Sequence, residues 1–560
     1  MPAEIAGGLE AVALFAVPGF GLTELLPSLR EKPLARRAAY GYLLGVATVS
    51  GSLYALSHAC GVPLRPPAIF TVAIAPALAG LTAAVVRRMR ARRSRPGPAL
   101  PPAAIAAAPC DPSVETSRDR PFAPNHSLRG VPASPRRPER DEPPPPDRDS
   151  QSGLDPESRH WLGCDSGHPT QAAGQHGLHR RRRPEQRHRR LRQAGGLLAA
   201  ACAVLATVIC AAVFAEAVSD PVNDWDGRMT WGTAARYVRA AGSVDAAALR
   251  EERWYVTHPQ YPLLLPIAQT AVLEAAGADP DAPRMRALYA ACLPALLLVI
   301  YDGARRGAGR TAAALAAVAI GLVPYVLLGG GGAATTYGDL PLAAFYGAAL
   351  ALLLAGRPRA DGGLAAGLLL AGAALAKNEG TPLALLALAL GWRALRRPAA
   401  GARGVWRFAA AALPVALALA LLNSWRAGIV NRFDEAYPAL LRATHLWPAV
   451  VTRAAALGPL LLDRMLRSGH WGAFWWMAPG VLLAGHRALR HPRNLRLLAA
   501  AAGPPALAWM AYAVHPRPAF IAAVTWDRIL LQGAAPLAMV LAAAIGAAVR
   551  GGRQAPRAGG

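Results

Sequence analysis

The chain has 560 residues, 53% of them hydrophobic, and a formal net charge of +26 at pH 7. Apolar runs of about 17–25 residues recur along it, the length that crosses a hydrocarbon core, which excludes an ordinary soluble enzyme and predicts an all-α polytopic membrane protein. The charge comes almost wholly from arginines between those runs, so it reads as the positive-inside signal of cytoplasmic loops; no basic stripe falls on a folded soluble segment, and nucleic acid is not an expected partner.

In chain order, apolar runs cover about 5–26, 40–59 and 68–86, with basic residues after the first (Arg30, Lys32, Arg36, Arg37) and the third (Arg87 to Arg93). Both clusters are expected inside, which puts the N-terminus outside and makes residues 1–87 a three-helix membrane segment. The start, Met1 to Glu10, has no basic n-region, so no cleaved signal peptide is expected. From 88 to 193 the composition turns to proline, arginine, serine and aspartate, with Pro143 to Pro146 and Arg180 to Arg183. Such a stretch cannot bury a core and reads as a disordered cytoplasmic linker. Its histidines (His160, His168, His176, His179, His188) are too irregularly spaced to predict a metal site. Cys60, Cys110, Cys164, Cys202, Cys210 and Cys292 form no CxxC pair, so neither zinc nor a disulfide framework is expected.

A core of residues 194–550 follows, with a basic cytoplasmic tail at 551–560. The run 194–218 leaves the cytoplasm and delivers Asn223-Asp224-Trp225-Asp226-Gly227-Arg228 to the outer edge of the bilayer. A long outer segment then carries His258-Pro259-Gln260-Tyr261-Pro262 and a short apolar stretch, 262–277, suited to a helix at the interface. Further spans are expected at about 285–301, 311–328 and 340–354, the last opened by Tyr337-Gly338-Asp339-Leu340-Pro341 after the glycine-rich turn Gly329 to Gly332. The stretch 363–392 has arginines at both ends, so two short spans turning at Lys377-Asn378-Glu379-Gly380 keep both clusters inside. Runs near 408–425, 471–483, 497–514 and 529–549 complete a count of about thirteen spans, with Trp526-Asp527-Arg528 read as the end of the last outer loop.

This topology places Asp224, Asp226, His258, Asp339, Lys377, Glu379, Asp527 and Arg528 on one side of the membrane. Ionisable groups at membrane depth are costly and usually line a cavity or pathway. A carboxylate in a dry site can take a proton from a hydroxyl nucleophile, while lysine and arginine stabilise an anionic leaving group such as phosphate. Together they suit transfer of a group from a lipid phosphate to an acceptor hydroxyl. For several of these residues a plainer reading stands beside that one. Asp224 and Asp226 can cap a helix starting near Met229, and Asp339 can cap the helix it opens. His258 and Tyr261 can be interfacial anchors, Lys377 can snorkel to the surface, and Arg528 can pair with Asp527 or with headgroups.

From about residue 194 onward the ordered set of motifs resembles the GT-C membrane glycosyltransferases, in particular the protein O-mannosyltransferase and aminoarabinose-transferase type (families 39 and 83). The resemblance rests on Trp225-Asp226 with Trp231, on His258-Pro259-Gln260-Tyr261-Pro262-Leu263-Leu264, on Tyr337-Gly338-Asp339-Leu340-Pro341-Leu342, on Lys377-Asn378-Glu379-Gly380, and on Asp527-Arg528 ahead of Pro536. It implies a GT-C-like core, a polyprenyl-phosphate sugar donor, and an acidic base in the first outer loop. Carried over, Asp226 is the base and Asp224 its partner or, with Asp226, a contact for a divalent metal. Asp339 is the second acidic residue, Lys377 and Arg528 hold the phosphate, and His258, Tyr261 and Glu379 line the substrate. The family often has Asp-Glu where this chain has Asp226-Gly227, and residues 1–193 lie outside the resemblance. The arginine-, alanine- and glycine-rich composition suggests a GC-rich bacterial genome, hence a plasma-membrane enzyme of cell-envelope assembly acting on the extracytoplasmic face, with a protein, lipid or polysaccharide acceptor. Two other classes remain open: a transporter or flippase for a lipid-linked sugar, and a non-catalytic envelope-assembly scaffold.

Overall fold

Runs of alanine and leucine have no hydrogen-bonding side chains, so in an apolar medium their backbone polar groups must be satisfied within the segment, which only a helix or a closed barrel achieves. The computed structural model takes the helical solution throughout: among the described residues every regular element is a helix and none is a strand. It describes residues 1–93, 174–251, 253, 257–277, 279, 281–354, 360–395, 402–429 and 447–554. Residues 1–93 and 186–560 make up one unit, which contains every contact discussed below.

Eight helices among the described residues are long and apolar enough to cross a membrane: Pro2–Leu25, Leu34–Cys60, Pro66–Ala91, Gln193–Ser219, Arg284–Ala308, Gly404–Arg426, Pro492–Val514 and Pro518–Arg550. The chain is thus a helical, multi-pass membrane protein, but the expected count of thirteen spans is not reached. The other five expected spans correspond to Arg310–Gly321, Asp339–Leu354, Asp361–Ala376, Gly380–Trp392 and Phe474–Ala484, which are only 10–17 residues long. Hydropathy finds an apolar run; it does not say whether the helix reaches both faces.

The eight are not equivalent. Pro518–Arg550 is 94% buried over its most apolar window, whereas Gln193–Ser219 is 11% buried, with Leu197, Val204 and Val208 exposed. The last helix is therefore the central column, and Gln193–Ser219 lies at the periphery with its apolar side chains facing outward, as lipid contact allows. Close helix approach is made by small residues, which let backbones touch where no hydrophobic driving force separates helix from lipid. A Cβ on Gly19 would overlap the carbonyl of Gly41, and one on Gly45 would overlap that of Phe15, so Pro2–Leu25 and Leu34–Cys60 meet backbone to backbone.

Two boundaries differ from expectation and a third agrees with it, each in a way that matters for the site. The final helix begins at Pro518, so Trp526, Asp527 and Arg528 lie inside it and not in a loop. The break at Lys377 to Glu379 falls between Ala360–Ala376 and Gly380–Leu395, as two helices turning at that point require. The helix containing 194–218 starts at Gly174, within the stretch expected to be disordered linker. Residues 94–173 lie outside the described residues, and with them most of that linker, including His160, His168, Cys110 and Cys164.

Candidate functional site

Arg528 is the hinge of the cluster. It sits on the buried final helix with its side chain 12% exposed, and it uses two different nitrogens on two carboxylates. Nη2 lies 2.7 Å from Asp226 Oδ2, and Nε donates to Asp339 Oδ2 at 2.8 Å. The guanidinium also lies over the Tyr337 ring, 4.7 Å from its centroid, a cation–π contact. One arginine thus joins the loop after Gln193–Ser219 to the start of Asp339–Leu354.

Asp339 is the floor of the site, with no exposed surface. Besides Arg528 it accepts from Lys377 Nζ at 2.6 Å and from Gln532 Nε2 at 3.3 Å. Lys377, also buried, is shared with Glu379 Oε1 at 3.0 Å. A fully buried carboxylate persists as an ion only when charged and hydrogen-bonding partners surround it, and here two cations and an amide do so. The network holds three carboxylates (Asp226, Asp339, Glu379) against two cations (Lys377, Arg528). The more exposed members of the cluster are Asp226 and Glu379, whose side chains are 19% and 34% exposed.

The Asp224–Asp226 loop is held from several directions. Asp224 accepts from Thr336 N–H at 2.9 Å and from Thr336 Oγ1 at 2.6 Å. Burial pushes its carboxyl up from the ordinary aspartate range, and the Thr336 bonds pull against that. Buried Arg286 donates through Nε to Ala334 O at 3.0 Å and through Nη1 to Asp220 O at 3.2 Å, clamping the two loops together. Gly227 is required here: a Cβ would overlap Thr336 Oγ1 and Asp224 Oδ1. The Asp224–Thr336 lock fills the space that a side chain at position 227 would need.

These contacts settle most of the plainer readings. Asp226 stands just before the π-helical turn Gly227–Gly232, but its side chain makes no capping hydrogen bond; it goes to Arg528. Asp339 does open its helix, yet its carboxylate faces Lys377, Arg528 and Gln532. Lys377 does not snorkel to the surface. Arg528 does not pair with Asp527, because consecutive helical residues point about 100° apart. Asp527 instead accepts from Trp471 Nε1 at 2.7 Å and contacts His470 Nδ1 at 2.9 Å.

His258 and Tyr261 flank the cluster. Their rings stack with centroids 5.1 Å apart, and Trp231 lies 5.6 Å from Tyr261. Tyr261 is within electrostatic reach of Arg528. His258 has φ 52°, the one non-glycine residue in the left-handed region among those described, a strain that surrounding structure must hold in place. Arg426 fastens this loop to the Lys377 turn, donating to Gln260 O at 2.9 Å and to Asn378 Oδ1. Around Tyr261, the Gln260 amide and Trp231 Nε1 are buried with no partner among the described residues, and so is Glu379 Oε2 at the rim.

A divalent cation held between Asp224 and Asp226 does not fit this arrangement. The first carboxylate is taken by Thr336 and the second by Arg528, and among the described residues no group of three or more His, Cys, Asp or Glu is arranged to hold a metal ion. Thr336, Arg286, Gln532 and Arg426 escaped the sequence reading. Only Gln532 left a trace, one helical turn beyond Arg528 on the same face. Comparison of the chain with family models, with curated proteins and with solved structures finds no match to any of them.

Proposed function

We propose that the chain is an integral-membrane glycosyltransferase with a GT-C-like core, moving a sugar from a polyprenyl-phosphate donor to an acceptor hydroxyl. One observation carries the reading: Arg528 holds Asp226 at the open rim and Asp339 at the sealed floor. A phosphate arriving at the rim competes for the same guanidinium and releases Asp226. Asp226 then takes the acceptor hydroxyl proton as the acceptor oxygen bonds to the anomeric carbon. The bond from that carbon to the phosphate oxygen breaks, the electron pair leaves with polyprenyl phosphate, and Arg528 and Lys377 stabilise the charge that develops. Asp339 has no exposed surface, so its part is to position the two cations. Unpaired buried polar groups are costly, and a sugar supplies the hydroxyls that would satisfy the Gln260 amide, Trp231 Nε1 and Glu379 Oε2.

The test is Asp226→Asn in membranes supplied with radiolabelled polyprenyl-phosphate sugar. Loss of general-base catalysis is expected to lower transfer by about 100- to 10,000-fold. The variant should still insert and elute from detergent like the native chain. Normal turnover would overturn the reading. Passage of the labelled lipid across reconstituted vesicles with no new glycosidic bond would give the function to a transporter instead.

A further inference from the structure

A second constellation lies outside the network described above. His58 stands in the last turn of Leu34–Cys60, Asp245 in the loop after Thr233–Ala241, and Ser424 in the last turn of Ala402–Arg426. His58 Nδ1 lies 3.0 Å from both Asp245 carboxylate oxygens, and His58 Nε2 lies 3.1 Å from Ser424 Oγ. An ionised carboxylate can only accept, so Asp245 fixes the proton on Nδ1. In the neutral imidazole Nε2 is then the acceptor, and the Ser424 hydroxyl must donate to it. That is the nucleophile–base–orienter relation of a serine hydrolase or acyltransferase, which is recognised by geometry and not by position in the sequence.

The parts are held, not merely adjacent. Val244 N–H donates to Ser57 Oγ at 3.2 Å, next to His58, and Trp425 Nε1 donates to Val244 O at 3.1 Å, next to Ser424. Asp245 N–H is bonded to Ser243 Oγ at 3.1 Å. The buried ring of Tyr54 packs against both Trp425 and His58. Adjacent hydrogen bonds from three chain segments therefore fix all three side chains, while Ser424 itself stays exposed. Arg250 donates to Asp245 Oδ1 at 3.0 Å and reaches to the backbone at Gly428, so a charged donor stands on the same rim.

We propose that Ser424, His58 and Asp245 form a nucleophilic site that accepts an acyl group from a carboxylic ester. Ser424 Oγ attacks the ester carbonyl carbon as His58 Nε2 takes its proton. The tetrahedral oxyanion collapses, the bond to the leaving oxygen breaks, and His58 gives its proton to the departing alcohol. Acyl-Ser424 remains, and water or an acceptor hydroxyl removes the acyl group with His58 again as base.

The experiment treats the full-length protein in native membranes with a fluorescent alkyl fluorophosphonate, then maps the adduct by mass spectrometry. One adduct per chain on Ser424 is expected, absent in Ser424→Ala and formed about 100-fold or more slowly in His58→Gln. Absence of an adduct, or labelling unchanged by Ser424→Ala, would overturn the proposal. Ser424 is exposed, so its truncation should leave folding intact, and an unaltered elution profile checks this. Labelling of the Asp226→Asn variant at the native rate is also expected. The acyl site therefore stands or falls separately from sugar transfer.

Discussion

Lys32 and Lys377 are the only lysines in a chain that otherwise carries its positive charge on arginine. Each meets an aspartate. Half-buried Lys32 pairs with Asp302, which also takes Arg36 at 2.8 Å and Arg305 at 3.2 Å, and buried Lys377 pairs with Asp339 and Glu379. At Lys377 a compact ammonium with three freely directed donors meets two carboxylates from different directions in a closed space. Removing one partner of a buried pair leaves an uncompensated charge, at a cost of about 3–5 kcal/mol. Lys377→Met is therefore expected to lower the detergent melting temperature sharply, and Lys377→Met with Asp339→Asn to recover part of the loss. A double-mutant cycle on thermal unfolding measures the coupling. Additive losses would show that the pair is not coupled. Lys377 and Asp339 could be singled out in the sequence because a charge in an apolar run is conspicuous. Thr336, which locks Asp224, could not, because a neutral threonine in a loop carries no mark of its partner.

The final helix shows what changes when a boundary moves. The sequence reading ended the outer loop at Trp526-Asp527-Arg528, since a polar triplet before an apolar run normally marks the membrane surface. In the fold the helix begins at Pro518, because both charges have buried partners on different sides: Asp339 and Asp226 for Arg528, Trp471 and His470 for Asp527. Satisfied charges no longer need to leave the helix, and hydropathy cannot know that they are satisfied. The turn at Lys377 to Glu379 was legible for the opposite reason, since its evidence was the arginines at the two ends of the hairpin. Neighbouring substitutions on the last helix should then have unlike effects. Arg528→Lys offers one nitrogen where two are used on separate carboxylates, and is expected to reduce sugar transfer by at least about 100-fold. Asp527→Asn should loosen the docking of Ser468–Trp471 and lower the melting temperature, with transfer kept within about threefold of native. Assay and melting of both variants decide it, and equal loss of transfer in the two would show that position 527 belongs to the site.

At the scale of the molecule, the candidate groups gather at one end of the helices. Lys377 follows the C-terminal end of Ala360–Ala376, and Arg426, the last residue of Ala402–Arg426, bonds to Asn378. Leu34–Cys60 ends at the same level, because Leu64 N–H donates to Gly242 O at 2.7 Å and His58 reaches Ser424. All-helical architecture was evident from composition, and this clustering was foreshadowed by the alternation of arginine-rich loops. The number of complete crossings was not, since a 16-residue helix such as Asp339–Leu354 spans only about 24 Å against a core of about 30 Å. The arginine bias nonetheless gives an expectation of which way the bundle faces, and the chain carries its own reporter. Cys60 is exposed, while Cys202 and Cys292 are buried and Cys210 is half-buried. In a variant with Cys110 and Cys164 replaced by serine, a membrane-impermeant maleimide should label Cys60 in right-side-out vesicles and fail to do so in inside-out vesicles. That outcome places the Arg528 cluster and Ser424 on the outer side together, as the proposed transfer requires. Labelling only in inside-out vesicles would turn the whole bundle over, and extracytoplasmic transfer would fall with it.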